Sequence, residues 1–157
     1  MATTKHVPGP EGARFELAMK QLGGLQTKVG WFASSKYPDG TPVAYVAAIQ
    51  EFGYAQGGIP PRPTIRPTIE AQQGAWRNIM GQAVRGIPKG TRTAFDCMEL
   101  LGLQAAGDIR ASIAALTSPA LKPATLAARR RRGNSSTKPL VDTRVLLPTL
   151  THITEQS

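Results

Sequence analysis

The sequence predicts an α+β domain: a small mixed sheet packed by three to four helices, with an extended N-terminal arm and a long basic loop. Three observations carry this. Apolar residues recur at helical spacing in four segments, and two short stretches, beginning at Leu25 and at Leu150, alternate with the period of a strand. Between these segments lie most of the 16 glycines and 13 prolines of the 157 residues, which cut the chain into elements joined by loops. A chain of this length supports one domain with a hydrophobic core. The expected organisation is an arm over 1–12 and a domain over 13–157, with long loops at 54–66 and 117–140.

Residues up to Glu11 are polar and contain Pro8 and Pro10, as a flexible arm would. In "GARFELAMKQLGG", Phe15, Leu17, Ala18 and Leu22 approach helical spacing, and Gly23 and Gly24 supply a stop. "LQTKVGWFAS" sets Leu25, Thr27, Val29 and Trp31 against Gln26, Lys28 and Gly30, the pattern of a strand with one buried face. "YPDGT" is a turn, with Gly40 free to take positive φ.

Thr41 is then expected to cap a helix that has Pro42 at its first position. Its apolar stripe is Tyr45, Ala48, Ile49 and Phe52, and Gly53 marks its end. A third helix takes in Ile65, Ile69, Trp76, Ile79, Met80 and Ala83, with Pro67 early and Gly86 and Pro88 beyond its end.

From Thr93 to Leu116 a longer helix places Leu101, Ala105, Ile109, Ile113 and Leu116 on one face. The stretch after it holds prolines, four consecutive arginines and a Gly-Asn-Ser-Ser run. It reads as a long excursion with one or two helical turns around Thr125 to Arg130. The chain closes with an Asp142 or Thr143 cap, a brief apolar segment, and a last strand alternating Leu150, His152 and Thr154. No repeat at a fixed period is visible, which argues against a solenoid.

Apolar residues make up 41% and charged residues 18%, the balance of a folded body with tails rather than wholesale disorder. Nineteen Lys and Arg against ten Asp and Glu give a formal charge of +9, which favours a polyanion or an acidic protein as partner. Cys97 is the single cysteine, so no internal disulfide framework exists, and a reducing, cytoplasmic setting is expected. No apolar run reaches membrane-spanning length, and "MATTKHVPGPEG" lacks the apolar core of a signal peptide. Neither membrane insertion nor export by that route is expected.

Four landmarks stand in order: "VGWF" on a strand, "VAYVAAIQEFG" on a helix, "IPPRPTIRPTIE" leading into the next helix, and "KPLVDTRVLLPTLTHIT" near the end. Together they resemble the tailed-bacteriophage neck and tail-completion proteins, a family of tail components and virion morphogenesis proteins. Ala47, Glu51, Phe52 and Gly53 match its A-x-x-x-E-[FY]-G helix end, and Pro60 to Pro67 match its "PPRPF-x-RP" segment. Pro119, Leu121, Pro123 and Thr125 match "P-L-x-P-x-T". Arg144 replaces the glycine after "DT", Pro148 interrupts the following turn, and Thr149 replaces a serine. The resemblance covers Val29 to Ile153, and it lies in the ordered set of motifs.

The resemblance implies a small α+β structural subunit of a virion, without enzymatic activity. It would form a homo-oligomeric ring, six copies by preference, at the head-to-tail junction or the top of the tail. Adjoining neck, connector or tail proteins would be its partners, with double-stranded DNA passing through the channel. Assembly would take place in the host cytoplasm.

The candidate site residues fall in two groups. Pro60, Pro61, Pro63 and Pro67 fix φ and delete amide donors, giving an extended arm that loses little entropy on docking. Arg62 and Arg66 would present charges from it to a neighbouring subunit, with Glu51 as acceptor within the subunit or across the ring. A surface loop that merely steers the chain into a helix is the alternative. The second group is Arg129, Arg130, Arg131 and Arg132 with Lys122 and Lys138, a cluster suited to phosphates through counterion release or to an acidic neighbour protein. A solvated loop is the bland reading of that run.

Trp31, Trp76, Tyr45 and Phe52 are expected in the core rather than as base-stacking platforms. His6, His152 and Cys97 are too scattered for a metal site or thiol triad, no phosphate loop or nucleophile elbow occurs, and no cofactor is implied. Asp96, Glu99 and Asp108 are read as the solvated face of one helix. The competing function is a basic nucleic-acid-binding protein acting as a monomer or dimer.

Overall fold

The computed structural model describes residues 9–140 and 145–157. In chain order these form α1 (Pro10–Gly23), β1 (Leu25–Gly30), α2 (Val43–Phe52), α3 (Ile65–Val84), α4 (Ala94–Ala115), α5 (Pro123–Arg131), α6 (Leu146–Thr149) and β2 (Thr151–Gln156). The fold is α+β, with β1 and β2 paired antiparallel. Contacts group the chain into two compact units, and α3 and α4 each contribute to both.

The first unit holds 9–28, Gly74–Gln104 and His152–Ser157. Pro10 opens α1 at a position where no amide donor is needed, and Glu11 in the first turn suits the positive end of the helix dipole. The arm expected over 1–12 is therefore helical from Pro10, while 1–8 lie outside the described residues. Ala18, Ala83, Ile87, Ala94 and Cys97 form the core, with Leu22, Leu25 and Met80 packed against it. Phe15 and Leu17, expected on the packing face of α1, are exposed.

Register in the sheet is set by Thr27 opposite Thr154, whose hydroxyls are 3.0 Å apart, and by the Ser157 amide donating to Gly24 O at 2.9 Å. Lys28 pairs with Glu155 across the strands. The sheet lies so close to α4 that a Cβ on Gly102 would come within 2.5 Å of the His152 ring and 2.6 Å of the Thr27 methyl.

The second unit holds Val29–Gln73 and the described residues of Ala105–Thr151. Its core has two clusters: Val43, Ala47 and Leu146, and Ile109, Ile113 and Leu150. Trp31 packs against both, and its indole Nε1 donates to Leu146 O at 2.7 Å. Trp31 and Trp76 are each half-buried. The predicted face of α4 holds at Ala105, Ile109 and Ile113, all buried.

Two expectations about α2 are corrected. Thr41 does not cap it: the helix starts at Val43 after Pro42 with no side-chain cap, and the Thr41 amide bonds Asp39 Oδ1 at 2.9 Å. The stripe of Tyr45, Ala48, Ile49 and Phe52 does not face the core either. Val43, Ala47 and Glu51 are the buried residues of α2, while Tyr45 and Phe52 are 62% and 66% exposed. At about 100° per residue these two sets lie on opposite sides of the helix. The small side chains of Val43 and Ala47 permit close approach, and Glu51 turns inward to its donors.

The long segments hold structure of their own, including the helical turns expected around Thr125 to Arg130. Tyr54 and Ile59 exchange backbone hydrogen bonds at 2.9 and 3.0 Å, closing a turn inside 54–66. Gly53 enters that turn with φ of 79°, and a Cβ there would meet Pro61 N at 2.9 Å. Within 117–140, α5 runs for nine residues. Pro148 leaves α6 at four residues, with Thr149 Oγ1 donating to Val145 O at 2.6 Å. The cap expected at Asp142 or Thr143, and Arg144, lie outside the described residues.

Gly102→Ala is expected to lower stability by about 1–3 kcal/mol through overpacking. Gly107→Ala, which meets nothing within 4 Å on the same helix, should instead gain up to about 1 kcal/mol. Urea unfolding of the two variants checks the pair, and equal effects would refute the close approach at Gly102.

Candidate docking site in the proline segment and basic excursion

The proline segment is tied down by one carboxylate. Glu51, near the end of α2 and 4% exposed, accepts from the amides of Thr64 at 2.6 Å and Ile65 at 3.0 Å through Oε2. Its Oε1 accepts from the Arg66 amide at 3.1 Å and Arg66 Nε at 3.2 Å. The first amides of a helix lack intrahelical acceptors. Here the N–H groups of Thr64, Ile65 and Arg66 all go to Glu51, and Pro67 has none to satisfy. The sequence Glu51 then Thr-Ile-Arg-Pro thus makes a cap supplied by a neighbouring helix. Thr68 Oγ1 and Ser112 Oγ both donate to Thr64 O, at 2.6 and 3.4 Å.

Burial alone would push the Glu51 carboxyl up. The amide bonds from Thr64, Ile65 and Arg66, with the Arg66 guanidinium, together outweigh it and hold the group below its ordinary value of 4.5. A carboxyl lowered in the folded state adds stability that is fully present above its unfolded value and is lost as pH falls through the folded one.

Arg62 and Arg66 divide the work. Arg62, 5% exposed, donates from Nε to Pro119 O at 3.0 Å, from Nη2 to Ala120 O at 3.3 Å and from Nη1 to Gln50 Oε1 at 3.3 Å. Its amide donates to Gln50 O at 2.6 Å. The charge expected to face a neighbour is instead spent inside this unit, where it ties the proline segment to α2 and to the chain leaving α4. Burial, and after it the charge of Arg129, pulls its guanidinium below its ordinary value. Arg66 faces outward: its guanidinium carbon stands 4.8 Å from the centroid of the Phe52 ring, and Nη2 donates to Glu51 O at 3.1 Å. Pro61, Pro63 and Pro67 are exposed beside it and Pro60 is half-buried.

The four-arginine run is likewise split. Arg129 is buried in the last turn of α5, where Nη1 donates to Ser136 O at 3.2 Å and Lys138 O at 2.8 Å, holding the returning chain. Arg130, Arg131 and Arg132 are exposed, as are Lys122 and Lys138. A cavity of about 400 Å³ opens where these segments meet, lined by Tyr37, Gln50, Pro60, Arg62, Lys122 and Thr125 among others.

Gln50 and the carbonyls of Pro119 and Ala120 were not visible as site residues in the sequence. Backbone acceptors have no side-chain identity by which a pattern could mark them. Asp96 caps α4 by accepting from the Thr93 amide at 2.8 Å, and Glu99 lies 3.3 Å from His152 Nε2. Both carboxylates thus have structural contacts beyond solvation. Among the described residues no group of three or more His, Cys, Asp or Glu is placed to hold a metal ion. No helix among them is long and apolar enough to cross a membrane.

No protein-family model, curated protein or solved structure matches this chain. The resemblance to phage neck proteins accordingly rests on its motifs.

Glu51→Gln is expected to cost about 2 kcal/mol near neutral pH, because it weakens a charge-assisted acceptor of several donors. The gap to wild type should close as pH falls below the ordinary carboxyl value. Denaturant melts across that range check this, and a gap independent of pH would contradict the ionised clasp. Arg129→Ala should destabilise by about 2–4 kcal/mol, whereas Arg130→Ala and Arg131→Ala should stay within about 0.5 kcal/mol.

Proposed function

We propose that the chain is a structural subunit of a tailed-bacteriophage virion, forming a ring at the head-to-tail junction or the top of the tail. The observation that carries this reading is the clasped proline segment. Glu51 and Arg62 fix its backbone from within, leaving Pro61, Pro63, Pro67 and Arg66 as an exposed ridge whose shape is set before a partner arrives. A ridge already ordered loses little entropy on association, as a repeated subunit contact requires. The ordered phage-like motifs place that ridge at the "PPRP" segment of the family they resemble.

In this reading the outward cations Arg130, Arg131 and Arg132, with Lys122 and Lys138, meet an adjoining virion protein or the DNA in the channel. The proposal assigns no reaction and no cofactor to the chain. The virion, with assembly in the host cytoplasm, is its proposed place.

The same exposed cations support the second reading, a nucleic-acid-binding protein acting as a monomer or dimer. Duplex binding measured across a salt series separates the two. A binder neutralising six or more phosphates would lose about a thousandfold or more in affinity between 50 and 200 mM salt. Under the ring reading, negative-stain images show closed rings of the purified protein, alone or on added tails or filled heads. A monodisperse monomer that joins neither would overturn it.

A further inference from the structure

The bonds that place Arg62 do not neutralise it. Its side chain donates to Pro119 O, Ala120 O and Gln50 Oε1, all uncharged acceptors, and among the described residues it has no ion pair. A guanidinium carries two N–H groups on each terminal nitrogen. Nη1 gives one to Gln50 and Nη2 gives one to Ala120, so each keeps a second with no acceptor. Buried charges are ordinarily paired, because neutral dipoles restore only part of the lost hydration. Arg62, at 5% exposed, lacks that pairing, and the positive charge of Arg129 stands close enough to disfavour it further.

The cavity of about 400 Å³ lies against this cation, and both Arg62 and its acceptor Gln50 line it. A second cation, Lys122, is also on the lining. Its Nζ lies 2.9 Å from where a Cβ on Gly58 would stand, and it makes no hydrogen bond or ion pair among the described residues. Asp39 is the one acidic residue on the lining. Its carboxylate accepts from the Thr41 amide at 2.9 Å, within its own turn, and pairs with neither cation. Val46, Ile59, Pro60 and Leu121 make part of the wall apolar. Two cations set in a partly apolar cavity of this size are the makings of a site for a small organic anion.

We infer that this cavity binds a carboxylate carried on an apolar body, with Arg62 and Lys122 taking the carboxylate and Val46, Ile59, Pro60 and Leu121 the body. One open N–H on each terminal nitrogen of Arg62 is what a bidentate carboxylate requires. The bonds to Pro119, Ala120 and Gln50 hold the fork in place beforehand, so little order is lost on binding. A phosphate suits the cavity less, since it would set a more strongly hydrated charge against apolar walls. The carboxylate can belong to a free acid or to an acidic side chain of another protein, and the test separates these sources. The inference stands apart from the ring proposal, which its failure would leave untouched.

The test is a nuclear magnetic resonance titration of the full chain, following the Gly58 amide and the Arg62 Nε–H signals. The probes are hexanoate and the blocked peptide acetyl-Leu-Glu-Leu-amide, each beside its neutral counterpart, hexanamide and acetyl-Leu-Gln-Leu-amide, and inorganic phosphate. At least one acid is expected to shift both signals and to bind about tenfold or more tightly than its counterpart, as a charge-assisted hydrogen bond provides. Tighter binding of hexanoate points to a free acid, and tighter binding of the peptide to a protein segment. Lys122→Gln, at an exposed position, should weaken the better acid about two- to fivefold. Arg62→Lys keeps the charge but loses the fork, and should weaken it about tenfold or more in protein that circular dichroism shows to be folded.

Acids that bind no better than their neutral counterparts would overturn the inference, as would binding that leaves the Gly58 and Arg62 signals unmoved. Phosphate that binds as tightly as the better acid would overturn it too. These comparisons use the wild-type protein, so an Arg62→Lys chain that fails to fold leaves the test decisive.

Discussion

The carboxylate of Glu51 is the constraint on which the second unit depends. The amides of Thr64, Ile65 and Arg66 at the start of α3 would be left without acceptors if Glu51 did not take them. Such groups are costly to leave unsatisfied. Glu51 resolves this from another helix, binding three consecutive amides while Pro67 removes the need for a fourth. The end of α2 and the start of α3 are thereby locked together through a buried anion that is stable only because its donors are in place.

The arginines extend the same logic in the opposite sense. Arg62 and Arg129 are buried cations that use backbone carbonyls as acceptors: Arg62 gathers a segment distant in sequence, and Arg129 holds the chain that returns after α5. Their neighbours Arg66, Arg130, Arg131 and Arg132 remain outside. A basic stretch that looks uniform in sequence is thus divided into charges that build the surface and charges displayed on it.

This division shapes the functional proposal. Glu51 directs α2 inward along the line of Val43 and Ala47, and the same rotation turns Tyr45 and Phe52 outward. The aromatic residues that would ordinarily fill a core are left exposed, with Arg66 positioned over one of them by the clasp. The clasped proline ridge and the outward turn of α2's aromatic residues thus share one interaction.

Most of the local structure was legible in the sequence. Periodicity and punctuation located α2, α3, α4, the turn at Gly40 and both strands, because these depend on neighbours a few residues apart. The prolines and the matching of Glu51 to Arg66 marked the clasp as a candidate contact. Local patterns did not reveal which side of α2 is buried, that Arg62 and Arg129 turn inward, or that α4 meets the sheet at Gly102. Those outcomes depend on acceptors and surfaces that lie beyond the few neighbouring residues a local pattern reads. The sequence by itself determined which segments become helix or strand; only the tertiary structure decided which face of each is hidden, since burial follows the partners a segment finds after folding.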